Sequence, residues 1–377
     1  MLFLKPSRIN RYSDYSASGM EEGFHAEVQA FFLNVLRAVI EAKIGSISPL
    51  VKCAFKGVLA IQDSTIVQLP TSLFEEFSGV SNGHTQVCNA RIQYSFDLIS
   101  GDIIDFSINS YSKTDHGSAP ELPINEGDLT VRDRGYFSKK ELDRHINNGA
   151  HFIFRYKFKT KAYDIDSNEE LDIHGILKKK KCIDQYVRLK NGPVVRIVGK
   201  KATEEIATQR RRKAKAEKKP KPSQEYLDFC DYSLYITNLE GLSFDDIVNV
   251  YRLRWRIETM FKYWKSNINL EAFHKMSSNQ LHVIFYARMT MVTMLIQTVY
   301  PNSREKIYEL TNRYISMEKL FQYAVRWGQA IDQLVTAIIE NVWPQKVTEA
   351  MEAYCCYEKR RRKNYEDHLL ELTEIFH

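Results

Sequence analysis

Four residues between Tyr251 and Lys265 have the types and spacing of a centre that handles phosphate. Read as one helix at about 100° per residue, the segment sets Tyr251, Arg254, Glu258 and Lys265 along a single stripe roughly 60° wide. Beside it runs an apolar stripe, Val250, Ile257, Phe261 and Trp264, which would seat the helix on a core. A carboxylate flanked by a phenol, a guanidinium and an ammonium suits a metal ion bound next to a phosphate, because the cations and the phenol hold phosphate oxygens while the carboxylate holds the metal. The same pattern is also that of a surface ion pair, since Arg and Glu four apart stabilise a helix by ~0.2–0.5 kcal/mol. The rest of the chain must decide between the two.

Two further carboxylates stand in unusual settings. In Val58 to Leu69, alternation puts Leu59, Ile61, Asp63, Thr65, Val67 and Leu69 on one side of a strand rich in β-branched residues. An Asp on that side is expensive to bury unless something neutralises it; hydrogen bonds to local backbone, Ser64 or Thr65 are the modest alternative. Asp133 ends the short apolar strand Leu129 to Arg132. Gly135 makes the turn, and Ser138 with Glu141 has the spacing of a capping box opening the next helix. Strand ends near helix starts are where α/β proteins carry catalytic groups; pairing with Arg132 or Arg134 is the alternative for Asp133.

Gln62-Asp63-Ser64-Thr65, Asp133-Arg134-Gly135-Tyr136-Phe137 and the Tyr-x2-Arg-x3-Glu-x6-Lys pattern from Tyr251 to Lys265 together resemble the signatures of bacterial insertion-sequence transposases of the DDE superfamily, in the insertion-sequence-four group. Trp255, Ile236-Thr237-Asn238 and Tyr286-Ala287-Arg288 are similar to that family as well, and the resemblance covers roughly residues 58–298. It implies an α/β fold: a ribonuclease-H-like catalytic core with a mostly β insertion before the glutamate helix, plus helical N- and C-terminal regions.

The elements fit that frame. An amphipathic helix is expected around Phe24 to Lys43, with Val28, Phe31, Phe32, Val35 and Ile40 as its apolar members. After the Asp63 strand, Arg91–Ile99 and Asp102–Ile108 form a hairpin about Ser100-Gly101. The Asp133 strand, the helix from Ser138 and the strand from His151 complete a βββαβ order. The expected organisation is an N-terminal helical region over 1–55, core over 56–157, a β-rich basic insertion over 158–240, the glutamate helix and its successor over 241–300, and a helical region over 301–377. Fewer residues precede Asp63 than the end-recognition region of the family needs, so an N-terminus shortened relative to that family is expected.

Composition limits the remaining classes. At 44% hydrophobic and 12% aromatic residues the chain can build real cores, and its net charge of +6 is gathered into clusters. No run reads as long and apolar enough for a membrane span, and Met1 to Pro6 is not a secretory signal. The six cysteines lack Cys-x-x-Cys spacing and are expected to be reduced thiols of a cytosolic protein.

Three carboxylates at one point repel and raise one another's pKa unless a cation lies between them. Asp63, Asp133 and Glu258 are therefore the expected metal ligands. Oxygen-only donors select Mg²⁺, with Mn²⁺ able to substitute, and two ions ~3.5–4 Å apart are expected. Tyr251, Arg254 and Lys265 would hold phosphates near the scissile bond, and Trp255 would stack on a displaced base or else pack in the core. Among the basic runs, Arg210, Arg211, Arg212 and Lys213 are the expected DNA contacts, whereas Lys178–Lys181 and Lys359–Lys363 read equally as solvated faces. His84, His116 and His151 show no metal spacing, and Asp105 and Asp115 rank below the three chosen carboxylates. By resemblance the activity is nicking and strand transfer at terminal inverted repeats, with target DNA and a homodimer on paired ends as partners. A DNA-binding relic and a nuclease that cuts without joining are the alternatives.

Overall fold

A computed structural model describes residues 26–42, 55–79, 87–111, 122–217, 221–270, 273–358 and 364–377. The first 25 residues, His84, Asp115, His116, Lys218, Lys219 and Lys359–Lys363 lie outside the described residues.

The chain opens with α1 (Ala26–Glu41), then β1 (Leu59–Gln68), β2 (Asn89–Asp97), β3 (Ile103–Ser110), β4 (Leu129–Arg132), α2 (Lys139–Asn147) and β5 (His151–Arg155). A second stretch adds β6 (Ala162–Tyr163), α3 (Ile173–Lys180), β7 (Cys182–Leu189), β8 (Val194–Lys201), α4 (Glu204–Glu217), α5 (Gln224–Phe229) and β9 (Tyr232–Thr237). The remainder is helical: α6 (Phe244–Arg252), α7 (Trp255–Asn267), α8 (Ser278–Met294), α9 (Tyr300–Thr311), α10 (Met317–Arg326), α11 (Gly328–Glu340), α12 (Gln345–Cys355) and α13 (Tyr365–Ile375).

Among the described residues, the nine strands form one sheet in the order β3-β2-β1-β4-β5-β9-β8-β7-β6. β1 runs parallel to β4 and β4 to β5, and the other pairings are antiparallel. The strands of the insertion thus continue the core sheet through β9. Parallel strands need cover on both faces, and all four residues of β4 are buried. One face carries a core built with α6, α7 and α8, including Ile61, Val131, Ile153, Tyr235, Val250 and Trp264. The opposite face around β5, β9 and β8 has its own core, including Phe152, Phe154, Ile197 and Ile236.

Two backbone features fix the register. Gly101 turns the β2–β3 hairpin at φ +81°, a conformation cheap only for glycine, and the Asp97 carboxylate collects the N–H groups of Leu59, Ile99 and Ser100 around it. A side chain on Gly57 would start 2.2 Å from the Gly127 carbonyl oxygen. That close approach brings the starts of β1 and β4 together, and everything downstream in their parallel register depends on it.

Three expectations need correcting. The segment from Tyr251 to Lys265 is not one helix: α6 ends at Arg252 and α7 begins at Trp255. Across the joint the N–H groups of Leu253, Arg254, Arg256 and Ile257 bond three residues back rather than four, to Val250, Tyr251, Leu253 and Arg254, so the turn tightens toward 3₁₀ geometry. The joint contains neither Pro nor Gly. It is held by Arg254 and Arg256, which are drawn to different partners on either side. In α1, Phe31 is 61% exposed and Leu36 is the buried residue. Finally, the continuous helix from Ser278 to Thr311 is long and apolar enough, by length and composition, to cross a membrane. Phe285, Met289, Val292, Ile296 and Val299 on it are buried in the main core, so its apolar surface is already used within the protein.

Candidate active site

The sheet register creates the site. Parallel pairing of β1 with β4 ends at Gln62 opposite Arg132, so the next residue of each chain, Asp63 and Asp133, emerges at neighbouring positions. Adjacent strands lie ~4.8 Å apart, which sets the two carboxylates side by side at the end of β4. Asp63 stays within β1, paired with Tyr94 of β2. Asp133 leaves the sheet in extended conformation and precedes the turn Arg134–Tyr136. Ser138 then caps α2 by accepting from the Glu141 N–H. The Glu141 carboxylate turns to Arg132 at 2.9 Å instead of returning to Ser138, which leaves Arg132 out of the site.

The α6–α7 joint brings the third carboxylate. Arg254 Nη2 donates to Glu258 Oε1 at 2.6 Å, and its Nη1 donates to Asp63 Oδ2. Tyr251 Oη donates to Asp133 Oδ1 at 3.2 Å. The Arg254 side chain is only 8% exposed, and its guanidinium lies 5.6 Å from the Tyr251 ring centroid. Three carboxylates from β1, the end of β4 and α7 therefore meet around one guanidinium and one phenol. The Ser64 N–H also donates to Asp63 Oδ1 at 2.8 Å, so the local backbone bond and the long-range ion pair coexist.

The electrostatics separate the two aspartates. Burial pushes the Asp63 carboxyl up to about 6; Arg254 and the Ser64 N–H pull it down, and Glu258 and Asp133 push it further up. Burial also acts upward on Asp133, but Arg254, the Arg134 N–H and charge, and the Tyr251 hydroxyl outweigh it and hold its carboxyl below the usual range. Burial raises the Tyr251 phenol well above its ordinary value, so it remains a protonated donor. Carboxylate oxygens are the hard donors Mg²⁺ and Mn²⁺ select, so the donor chemistry fits a divalent cation. Among the described residues, however, no three acidic, imidazole or thiol side chains form a ready metal cage. The Arg254 guanidinium lies between Asp63 and Glu258.

The other expected site residues are less central. Lys265 Nζ donates to the Ile66 carbonyl at 2.6 Å, which ties the far end of α7 to β1 about two turns from Glu258. Trp255 is 59% exposed rather than in the core, with Lys262 Nζ 5.8 Å from its ring centroid. Arg210 donates to the Tyr232 carbonyl and Ser233 Oγ of β9, and Arg211 is ion-paired with Glu204 and Asp231. Arg212 and Lys213 are exposed on α4. Arg155, not anticipated, lies on the same sheet face as Ile153. The signal was the one that flagged Asp63: a charged residue in a core-facing register of a short strand.

Comparison with known proteins gives the family. Residues 54–295 match the transposase DDE domain family. The chain is similar to the transposase for insertion sequence element IS231E of Bacillus thuringiensis subsp. finitimus, 26% identical over 337 residues, spanning 81% of this chain and 70% of that protein. It is also similar to the transposase for insertion sequence element IS1151 of Clostridium perfringens, 25% identical over 295 residues, spanning 71% of this chain and 62% of that protein. Among solved structures, the piggyBac transposase synaptic complex with hairpin DNA aligns at 9% identity and a TM-score of 0.39, over 82% of this chain and 60% of that one.

Proposed function

This chain belongs to the transposase DDE domain family, and from that membership we propose that it cleaves and joins DNA strands at the terminal inverted repeats of an insertion sequence, in a cut-and-paste reaction. The observation that carries the reading is the joint capture of Asp63 and Glu258 by Arg254, with Asp133 held by Tyr251. Nothing in the packing of a core needs three carboxylates at one strand end; a reaction at a phosphodiester does.

The strand order β3-β2-β1-β4-β5, with β1, β4 and β5 parallel, supports a ribonuclease-H-like core for this reading. In it the β6–β9 stretch is an insertion that presents basic residues to DNA, and the C-terminal helices carry the contacts of a homodimer on paired ends. Asp63, Asp133 and Glu258 would hold divalent cations, Mg²⁺ or Mn²⁺ and two in number. Bound there, such ions supply charge neutralisation for the attacking and leaving oxygens.

The protein's own groups divide the remaining work. Arg254 presents a planar fork that matches two carboxylate oxygens, and the same fork matches two phosphate oxygens. With DNA at the site it can orient the scissile phosphate while remaining next to the acids. Tyr251, a protonated donor in a dry setting, fixes the Asp133 carboxylate on one rotamer. Lys265 holds α7 against β1, so that Glu258 and Asp63 face each other. The exposed Trp255 ring offers a stacking surface beside the site.

Incubation of the protein and its Asp133→Asn variant with duplex carrying the flanking repeats of its element tests this. Expected are Mg²⁺-dependent nicks and joined products, both abolished by the variant. A wild type that binds this duplex and leaves it intact at every Mg²⁺ concentration contradicts the reading.

A further inference from the structure

Several buried or half-buried arginines in this protein hold a carboxylate. Arg132 holds Glu141, Arg196 holds Asp184, Arg211 holds Glu204 and Asp231, and Arg304 holds Glu366. Three arginines beside the candidate active site do not. Among the described residues, Arg134, Arg155 and Arg210 make no such ion pair, although they come from three different elements and converge on the edge of the sheet where β4 and β5 end and β9 begins.

The convergence follows from register. On β5, Ile153 and Arg155 face the helices α6 and α7, as do Ser233 and Tyr235 on β9, and Arg155 is paired with Tyr235. The Arg155 guanidinium lies 5.9 Å from the Tyr235 ring centroid, and that ring lies 4.9 Å from the ring of Tyr251. Arg210 reaches the same face from α4, donating to the Tyr232 carbonyl at 3.1 Å and to Ser233 Oγ at 3.0 Å. Arg134 arrives from the turn directly after Asp133 and hydrogen-bonds Tyr226. Arg210 feels the other two: burial and the charges of Arg155 and Arg134 bring its guanidinium down to about 10, whereas the Tyr226 hydrogen bond and Asp133 outweigh burial and raise that of Arg134. Like charges gathered on a rigid face destabilise the free protein unless an anion completes them. Arg210 uses two of its five N–H donors internally, which leaves donors for a ligand.

We propose that Arg134, Arg155 and Arg210 form a phosphate-binding row that receives the backbone of the DNA strand leading away from Asp133 along the sheet edge where β4 and β5 end and β9 begins. The row rests on the DNA-cleaving function proposed above and specifies how the substrate lies. It also divides the basic run on α4: Arg210 belongs to the row, and Arg211 braces the helix.

The test is the affinity for a random-sequence duplex, read by fluorescence anisotropy across a salt series. Each phosphate contact contributes about 0.9 to the slope of log affinity against log salt. Arg155→Gln and Arg134→Gln are each expected to lower that slope by about 1, weakening binding at every salt. Arg155→Lys should keep the slope and lose only part of the affinity, which separates charge from any structural role. Lys346→Gln, at an exposed position on α12, should match the wild type. Thermal melting checks that the variants fold; if Arg155→Gln does not, Arg134→Gln, at an exposed turn, decides. Slopes equal to wild type in the folded variants overturn the row. If the wild type still cuts repeat-bearing DNA and Asp133→Asn does not, the proposed function survives that failure. A wild type whose duplex binding does not respond to salt overturns both.

Discussion

Arg254 and Arg256 stand two positions apart at the same helix joint, each 7% exposed, and they serve opposite ends of the molecule. Arg254 reaches toward the sheet and is held by the oxygens of Asp63 and Glu258. Arg256 reaches toward the C-terminal helices: its guanidinium lies 3.8 Å from the ring centroid of Tyr365 and 5.8 Å from that of Tyr300, and Nη2 donates to the Met317 sulfur at 3.2 Å. The acid of that second cluster, Glu366, is bonded by Arg304 and Tyr300 instead. The difference lies in what can exchange. Carboxylates that hold a guanidinium can hold another cation, and the guanidinium released can hold a phosphate. Aromatic faces offer no such alternative. One arginine is therefore suited to chemistry, and the other fastens α13 to the helix that carries Glu258.

The comparison can be broken in order of expected effect. Arg254→Ala should slow single-turnover DNA cleavage by about 10²–10³-fold, the range for removing one preorganised donor, while Arg254→Lys, with one ammonium for two carboxylates, falls between. If Arg256→Met slows cleavage per folded molecule as severely, the two arginines do not differ in kind. The account expects Arg256→Met to act on stability, lowering it by about 2–4 kcal/mol in a urea titration.

A pH series sharpens the Arg254 side. The Asp63 carboxyl lies at about 6 in the folded protein against 3.8 for the free group. A folded pKa raised above the unfolded one means that the folded state binds the proton more tightly. Its contribution is full below about pH 3.8 and is lost as pH rises through about 6, amounting to ~3 kcal/mol at most. In metal-free buffer, urea midpoints should therefore fall from pH 4 to pH 7 in the wild type more than in Asp63→Asn. The smallest effect belongs to the neighbour between the two arginines. Trp255→Ala should change stability by less than about 0.5 kcal/mol, because an exposed ring has little packing to lose; a larger loss on melting would move Trp255 to the structural side.

Much of this site was legible because local chemistry dictates it. Asp63 betrayed itself by standing in a core-facing register, and the hairpin at Ser100-Gly101 and the cap at Ser138 rest on residues a few positions apart. What escaped was long-range. The break between α6 and α7 has no Pro or Gly to announce it; it arises because Arg254 and Arg256 are drawn to β1 and to α13, each more than a hundred residues away in sequence. Arg155 was passed over because its meaning depends on β9 pairing antiparallel with β5 after the whole insertion. Phe31 was assigned to a buried stripe by spacing alone, and the packing of α1 against α8 buries Leu36 instead.

The central claim, that Asp63, Asp133 and Glu258 share a divalent cation, can be tested without knowing the DNA sequence. Fe²⁺ substituted for Mg²⁺, with ascorbate and peroxide, generates hydroxyl radicals that cut the polypeptide within reach of the bound ion. The account predicts scission near residues 63, 133 and 258 in the wild type, suppressed by excess Mg²⁺ and lost in Asp133→Asn. Cuts confined to other parts of the chain, or cuts at these three places that persist in Asp133→Asn, would contradict it.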